Sequence, residues 1–123
     1  MRAEGPDLFD LSEEEIDTLP FGLIAVDRTG TIEQYNAYES RLARLSKERV
    51  IGRNFFRDVA PCTAVQAFQG RFEAFVAEPG DGTLSFDYLF RFPFGEQHVN
   101  ITFLRSGKTQ RFKILVNRYD DDS

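Results

Sequence analysis

Three alternating stretches dominate the second half of the chain. Leu84, Phe86, Tyr88, Phe90 and Phe92 alternate with polar or charged residues except at Leu89; Val99, Ile101 and Phe103 alternate next, and Phe112, Ile114 and Val116 last. A period of two marks half-buried strands, and Pro93-Phe94-Gly95-Glu96 and Arg105-Ser106-Gly107-Lys108 supply the turns between them. Ahead of these strands, Val65, Phe68, Phe72, Phe75 and Val76 recur at spacings of three and four. That spacing predicts a helix over about 64–77 with one face on the core, ended by Pro79-Gly80-Asp81-Gly82.

The first half has shorter segments. Leu23 to Val26 and Thr31 to Tyr35 read as two strands of a hairpin around Asp27-Arg28-Thr29-Gly30. Asn36 is placed to cap a helix over Ala37 to Leu45. Arg49 to Gly52 reads as a loop with an apolar anchor, and Asn54 as the cap of a helical turn from Phe55 to Val59. Pro61 ends that turn and fixes the backbone just before Cys62. Near the start, Ser12-Glu13-Glu14-Glu15 has the spacing of a capping box and predicts a short helix to about Thr18. Residues 1–20 therefore read as an arm that docks through Leu8, Phe9, Leu11, Ile16 and Leu19, held weakly enough to be released on signalling. Residues 21–119 form the domain, and 120–123 are a disordered acidic tail. Two strands, then helices, then three strands predict an α+β fold, a five-stranded antiparallel sheet with helices packed on one side. PAS domains have this arrangement.

Composition narrows the setting. The 123 residues make one domain with a core rich in its thirteen Phe and lacking Trp. A net charge of −5 with scattered Lys and Arg argues against nucleic acid, since a phosphate-binding face needs clustered basic residues. No stretch approaches the ~20 apolar residues of a membrane span, and the acidic N-terminus does not read as a secretion signal. One Cys excludes an internal disulfide and suits a reducing cytoplasm. A single Cys with a single His cannot supply a usual metal ligand set. The expectation is a cytoplasmic protein, monomer or weak dimer, bound to neither nucleic acid nor membrane.

Candidate chemistry gathers at Cys62 and at the pair Tyr35 and Glu39. From the residues alone, Cys62 has three readings: a small buried hydrophobe, an enzyme nucleophile, or an attachment point for a bound group. The nucleophile needs a base, and His98 lies on the strand face opposite Val99 and Ile101, toward solvent. Tyr35 and Glu39 are four residues apart, across the end of a strand and the first turn of a helix. One reading is a half-buried Tyr with an exposed Glu. The other is a converging pair: if Glu39 is buried, desolvation raises its pKa, and a protonated carboxyl beside a phenol forms a two-donor clamp for a buried anionic oxygen.

Tyr35-Asn36-Ala37-Tyr38-Glu39 and the run Val50-Ile51-Gly52-Arg53-Asn54-Phe55-Phe56-Arg57-Asp58-Val59-Ala60-Pro61-Cys62-Thr63 together resemble the photoactive yellow proteins, bacterial blue-light receptors of the PAS fold. The likeness begins near Phe21-Gly22, includes Gln69-Gly70-Arg71-Phe72 and Phe86-Asp87-Tyr88, and fades toward Tyr119. It implies a p-coumaric acid (4-hydroxycinnamic acid) chromophore held as a thioester on Cys62. Tyr35 and Glu39 would bond its phenolate oxygen, and the Cys62 N–H its carbonyl. Ile24, Ala43, Leu45, Phe55, Val59, Ala60, Phe90 and Phe94 would line or neighbour the pocket. The resemblance also implies trans-to-cis isomerisation in blue light, followed by proton transfer from Glu39 to the phenolate. The buried carboxylate so created would stand without a cationic partner, loosen the arm and present a new surface to a downstream signalling protein. Nothing is turned over, so the chain is not read as an enzyme.

The chain also departs from the resemblance. The best-known members carry Thr against the clamp tyrosine, where this chain has Ala43, and an Arg over the ring, where it has Leu45. Phe94 stands where a Met assists recovery, and the arm is shorter. These differences predict a shifted absorption band, an altered chromophore pKa and slower dark recovery. The alternative is a chromophore-free PAS sensor or protein-interaction module that keeps the cysteine; retention of Tyr35, Glu39 and Cys62 together favours the photoreceptor.

Overall fold

The computed structural model describes residues 8–108 and 111–119. The first part of the arm, residues 1–7, and the acidic tail, 120–123, lie outside the described residues. Five strands form one antiparallel sheet: β1 (Gly22–Val26), β2 (Ile32–Tyr35), β3 (Gly82–Phe92), β4 (Gly95–Arg105) and β5 (Phe112–Arg118), in the order β2-β1-β5-β4-β3. The α+β reading with a five-stranded antiparallel sheet holds. The last three strands run past their alternating apolar residues, because flanking polar residues continue the ladder, whereas β2 begins at Ile32, one residue later than expected, with Thr31 in an isolated bridge to Asn54.

Between β2 and β3 lie α2 (Ala37–Ala43), α3 (Lys47–Val50), a π turn at Phe55–Val59, a 3-10 turn at Pro61–Thr63, a second π turn at Gln66–Gly70, and α4 (Arg71–Val76). They cover the sheet face that carries Ile24, Val99, Ile101, Phe103, Ile114 and Val116, all unexposed. The Phe-rich composition becomes an aromatic core centred on Phe68, whose ring lies 5.0 Å from Tyr88, 5.4 Å from Phe86 and 5.5 Å from Phe103. Edge-to-face pairs of this kind add about 0.5–1.5 kcal/mol each beyond the area they bury.

Several helices differ from the sequence expectation. Instead of one helix over 64–77, a π turn leads into α4, with Gly70 N bonded to Val65 O at 3.2 Å. Val65 is extended (φ −140°, ψ 165°) and 49% exposed, so it leaves the apolar stripe that Phe68, Phe72, Phe75 and Val76 keep. A second difference is α3, read as loop; four residues are too few to show a helical period. Third, α2 stops at Ala43 because Arg44 turns left-handed (φ 59°) and Leu45 N bonds back to Ser40 O at 3.1 Å.

The arm holds α1 (Glu13–Ile16), shorter than the expected helix over 12–18 but with the capping box in place: Ser12 N donates to Glu15 Oε1 at 2.8 Å and Glu15 N to Ser12 Oγ at 3.1 Å. Ile16 is fully buried, and the Lys113 ammonium lies 5.5 Å from the Phe9 ring centroid. Since Lys113 alternates with the inward-facing Phe112 and Ile114, the arm lies on the sheet face away from the other helices.

Candidate functional site

The expected caps position the site. Asn36, with no exposure, is the hub of α2: its Oδ1 accepts from Leu23 N and Glu39 N, both at 3.0 Å, while its Nδ2 donates to Ile16 O at 2.8 Å and Phe21 O at 3.0 Å. This one side chain ties the arm, β1 and the first turn of α2 together. It fixes Glu39 in the first turn of α2, near enough to Tyr35 for its charge to act on the phenol. Asn54 caps the π turn, accepting from Phe56 N at 3.0 Å and Arg57 N at 3.1 Å. That turn delivers Ala60, Pro61 and Cys62 to the edge of the core.

Tyr35 and Glu39 are 1% and 2% exposed, which answers the choice left open by the sequence in favour of the buried pair. Burial raises the Tyr35 phenol pKa far above its usual value, the Glu39 charge raises it further, and Arg118 opposes both. Among the described residues no hydrogen bond reaches the Tyr35 hydroxyl. A buried phenol donor without an acceptor is costly, on the order of 1–3 kcal/mol, so the site lacks an acceptor at that point.

Glu39 is not alone. Arg118 Nη1 lies 2.8 Å from Oε1 and Nη2 3.1 Å from Oε2, a bidentate pair whose side chains are 6% and 3% exposed. Burial raises the Glu39 pKa above its ordinary range and the guanidinium pulls it back, with burial the larger effect. The expectation of a buried carboxyl without a cationic partner is therefore corrected. Arg118 Nε also donates to Gln97 Oε1 at 2.9 Å, and Gln97 Nε2 to Leu42 O at 3.0 Å. Gly22 matters for a different reason: a Cβ there would stand in the Glu39 carboxylate and 3.2 Å from Val116 Cβ. Sequence reasoning missed Arg118, Gln97 and the role of Gly22. The signal was present, because positions 112, 114 and 116 face inward, and 118 continues that face, as 22 continues 24 and 97 continues 99.

Cys62 is half-buried within the 3-10 turn and packs against the main core. Its Sγ accepts from Arg91 N at 3.4 Å and its carbonyl from the Tyr88 hydroxyl at 2.6 Å. Cys62 follows Pro61 at the start of the turn, where a backbone N–H has no acceptor inside the turn. His98 is exposed on β4 and supplies no base to it.

The expected lining divides in two. Ile24, Ala43, Phe55, Ala60 and Phe90 are buried, and Leu45 and Val59 pack half-buried against the same cluster. Phe94 is 38% exposed and sits at the rim, stacked on Phe92 with centroids 5.1 Å apart. Over its outer face lies the Arg44 guanidinium at 4.1 Å. Although Leu45 is apolar, a positive charge still covers this rim, one residue earlier in the chain.

A family model described as PAS fold matches residues 16–112. The chain is 41% identical to the photoactive yellow protein of Rhodothalassium salexigens, over 89% of this chain and 86% of that one. It is 37% identical to the photoactive yellow protein of Halochromatium salexigens, over 90% and 88% respectively. Among solved structures, it is similar to the photoactive yellow protein domain from the sensor histidine kinase Ppr of Rhodospirillum centenum, with a TM-score of 0.83 and 43% identity, covering 89% of this chain and 96% of that one. The PAS domain of an HTR-like protein from Haloarcula marismortui, at 19% identity and a TM-score of 0.65, shares the fold.

Proposed function

The chain belongs to the photoactive yellow protein family, and from that premise we propose that it is a blue-light photoreceptor carrying p-coumaric acid as a thioester on Cys62. The observation that carries the reading is the buried Tyr35 hydroxyl without an acceptor, beside a buried Glu39 and on the same core as Cys62. The residues present fit such a group: a thiol at the core edge, a turn N–H with no acceptor inside its turn, and a phenol that lacks only an anionic oxygen. When bound, the chromophore supplies light absorption and a double bond that changes from trans to cis.

The remaining work falls to the chain. Tyr35 donates its O–H to the anionic oxygen, and Glu39, once protonated, donates a second hydrogen bond to it; such charge-assisted bonds are about twice as strong as neutral ones. The Cys62 N–H holds the carbonyl in place. Ile24, Ala43, Phe55, Val59, Ala60 and Phe90 keep water from the ring, while Leu45 and Phe94 close the rim. In light, Glu39 gives up its proton, and the new carboxylate changes the balance of forces at the start of α2, where Asn36 and the arm are anchored. A downstream protein in the cytoplasm would read the displaced arm. One observation favours a second reading, a chromophore-free PAS interaction module: Arg118 already satisfies both Glu39 oxygens.

Addition of activated p-coumaric acid is expected to give one coumaroyl adduct by intact mass and a blue-absorbing band that bleaches in light and recovers in darkness, both absent in Cys62→Ala. The same sample reads the departures: with Ala43 and Leu45 in place the band and its pH titration should be shifted from those of relatives, and with Phe94 the flash-photolysis recovery should be slower. A folded protein that takes up no adduct would select the interaction module.

A further inference from the structure

Glu39 has its partner at the far end of the chain. The bidentate pair joins residues 79 positions apart, from the first turn of α2 to the last residue of β5. The guanidinium is held from a second side by Gln97, which in turn is fastened to the Leu42 carbonyl of α2. Arg118 thus has a second polar support besides Glu39, and the planar fork of a guanidinium matches a carboxylate bidentately. Among the described residues, the groups that titrate or carry charge and act on Glu39 are the Tyr35 phenol from the end of β2 and Arg118 from β5. From β1 comes Gly22, whose missing side chain makes room for the carboxylate, and from β4 the neutral Gln97.

We propose that Arg118 is the counter-ion of Glu39, bonding the carboxylate whenever the proton is absent and releasing the carboxyl when the proton is present. An unprotonated Glu39 buried among apolar groups would otherwise be an uncompensated charge, and protonation removes the attraction that holds the pair. The light-driven half rests on the photoreceptor reading. There the proton leaves a Glu39 oxygen for the phenolate oxygen, one negative charge moves the other way, and Arg118 takes the carboxylate. The pair then stabilises the light-formed charge on Glu39 and links α2 to the end of β5. Arg118 is a positioning residue, since it acts through Glu39.

The test begins on the protein without chromophore. Infrared titration of the Glu39 carboxyl, identified by loss of its C=O stretch in Glu39→Gln, would be compared in wild type, Arg118→Gln and Arg118→Lys. The midpoint should rise by at least about one pH unit in Arg118→Gln, a tenfold change in proton affinity, and by less in Arg118→Lys. A purely structural role would lower the melting temperature without moving this midpoint. An unmoved midpoint in folded Arg118→Gln overturns the proposal; should that variant not fold, the Arg118→Lys midpoint decides in the same way. In chromophore-loaded Arg118→Gln, the light state should decay faster than in wild type, and an unchanged decay overturns the light-driven half. Failure of wild type to load would count against the photoreceptor reading alone, because the chromophore-free titration still decides the counter-ion.

Discussion

A methyl group at position 22 would occupy the space of the Glu39 carboxylate, so the site depends on an atom that is absent as much as on the charges present. Glu39 itself should leave a signature in the pH dependence of folding. Its folded-state pKa is raised by burial above the ordinary 4.5, so between 4.5 and the raised value the folded protein binds more protons than the unfolded chain, and stability falls as pH rises. Asp27 acts in another window. Burial pushes its pKa up, but bonds from Thr29, Thr31 and Gly30 bring it net below 3.8, and the stability it contributes is lost only in stronger acid. Urea unfolding of chromophore-free wild type and Glu39→Gln across this range should show the advantage of wild type declining from mildly acidic pH toward neutrality. A pH-independent difference would contradict a raised Glu39. At this scale Tyr35, Glu39 and Cys62 were legible as residue types at suggestive spacings. Arg118 was not, because the last alternating apolar run ends at Val116, two residues short of it.

At the scale of elements, polar caps decided where the short helices begin, and they were readable. Ser12, Asn36 and Asn54 each cap as their positions suggest. Asn36→Ala would remove the acceptor for Leu23 N and Glu39 N and the donor to Ile16 O and Phe21 O, at a position closed to bulk solvent. The cost should be roughly 2–4 kcal/mol, visible as a lower urea midpoint with an unchanged slope; a loss within experimental error would mean that the cap is not the hub of this region. Helix interiors were less legible than their starts. The segment after Thr63 has the spacing of one long helix, yet the i→i+5 bond of Gly70 makes its first part a π turn. A five-residue turn cannot be told from an α-helix by apolar spacing when Phe68 and Phe72 stay on the core in either geometry.

Across the whole molecule, the arm and the site share supports. Asp17 accepts from Ala37 N at 2.8 Å and pairs with Lys47 at 2.6 Å, while Asn36 holds the Ile16 carbonyl. The arm therefore rests on the same turn of α2 that presents Glu39. The Asp17–Lys47 pair is about one-third exposed and so is weak by itself. Asp17→Ala should cost only about 1 kcal/mol, but amide hydrogen exchange over residues 8–18 should accelerate relative to the sheet. Exchange that stayed as slow as in wild type would show that Ile16 burial alone holds the arm.

Fold class, the three alternating strands and the helix caps could be read from residue order, because periodicity and capping are local and each is written in consecutive residues. The family resemblance likewise lies in continuous runs, from Tyr35 to Glu39 and from Val50 to Thr63. What those residues meet is set by contacts between distant parts of the chain. Pairing of β5 with β4 and β1 brings Arg118 beside Val99 and, through the inward face, against a carboxylate 79 residues away. The left-handed turn at Arg44 sets a guanidinium over Phe94, so the rim keeps a charge that position 45 lacks. Coulombic and hydrogen-bond partners are chosen by distance in space, and that distance exists only once the sheet has closed its register.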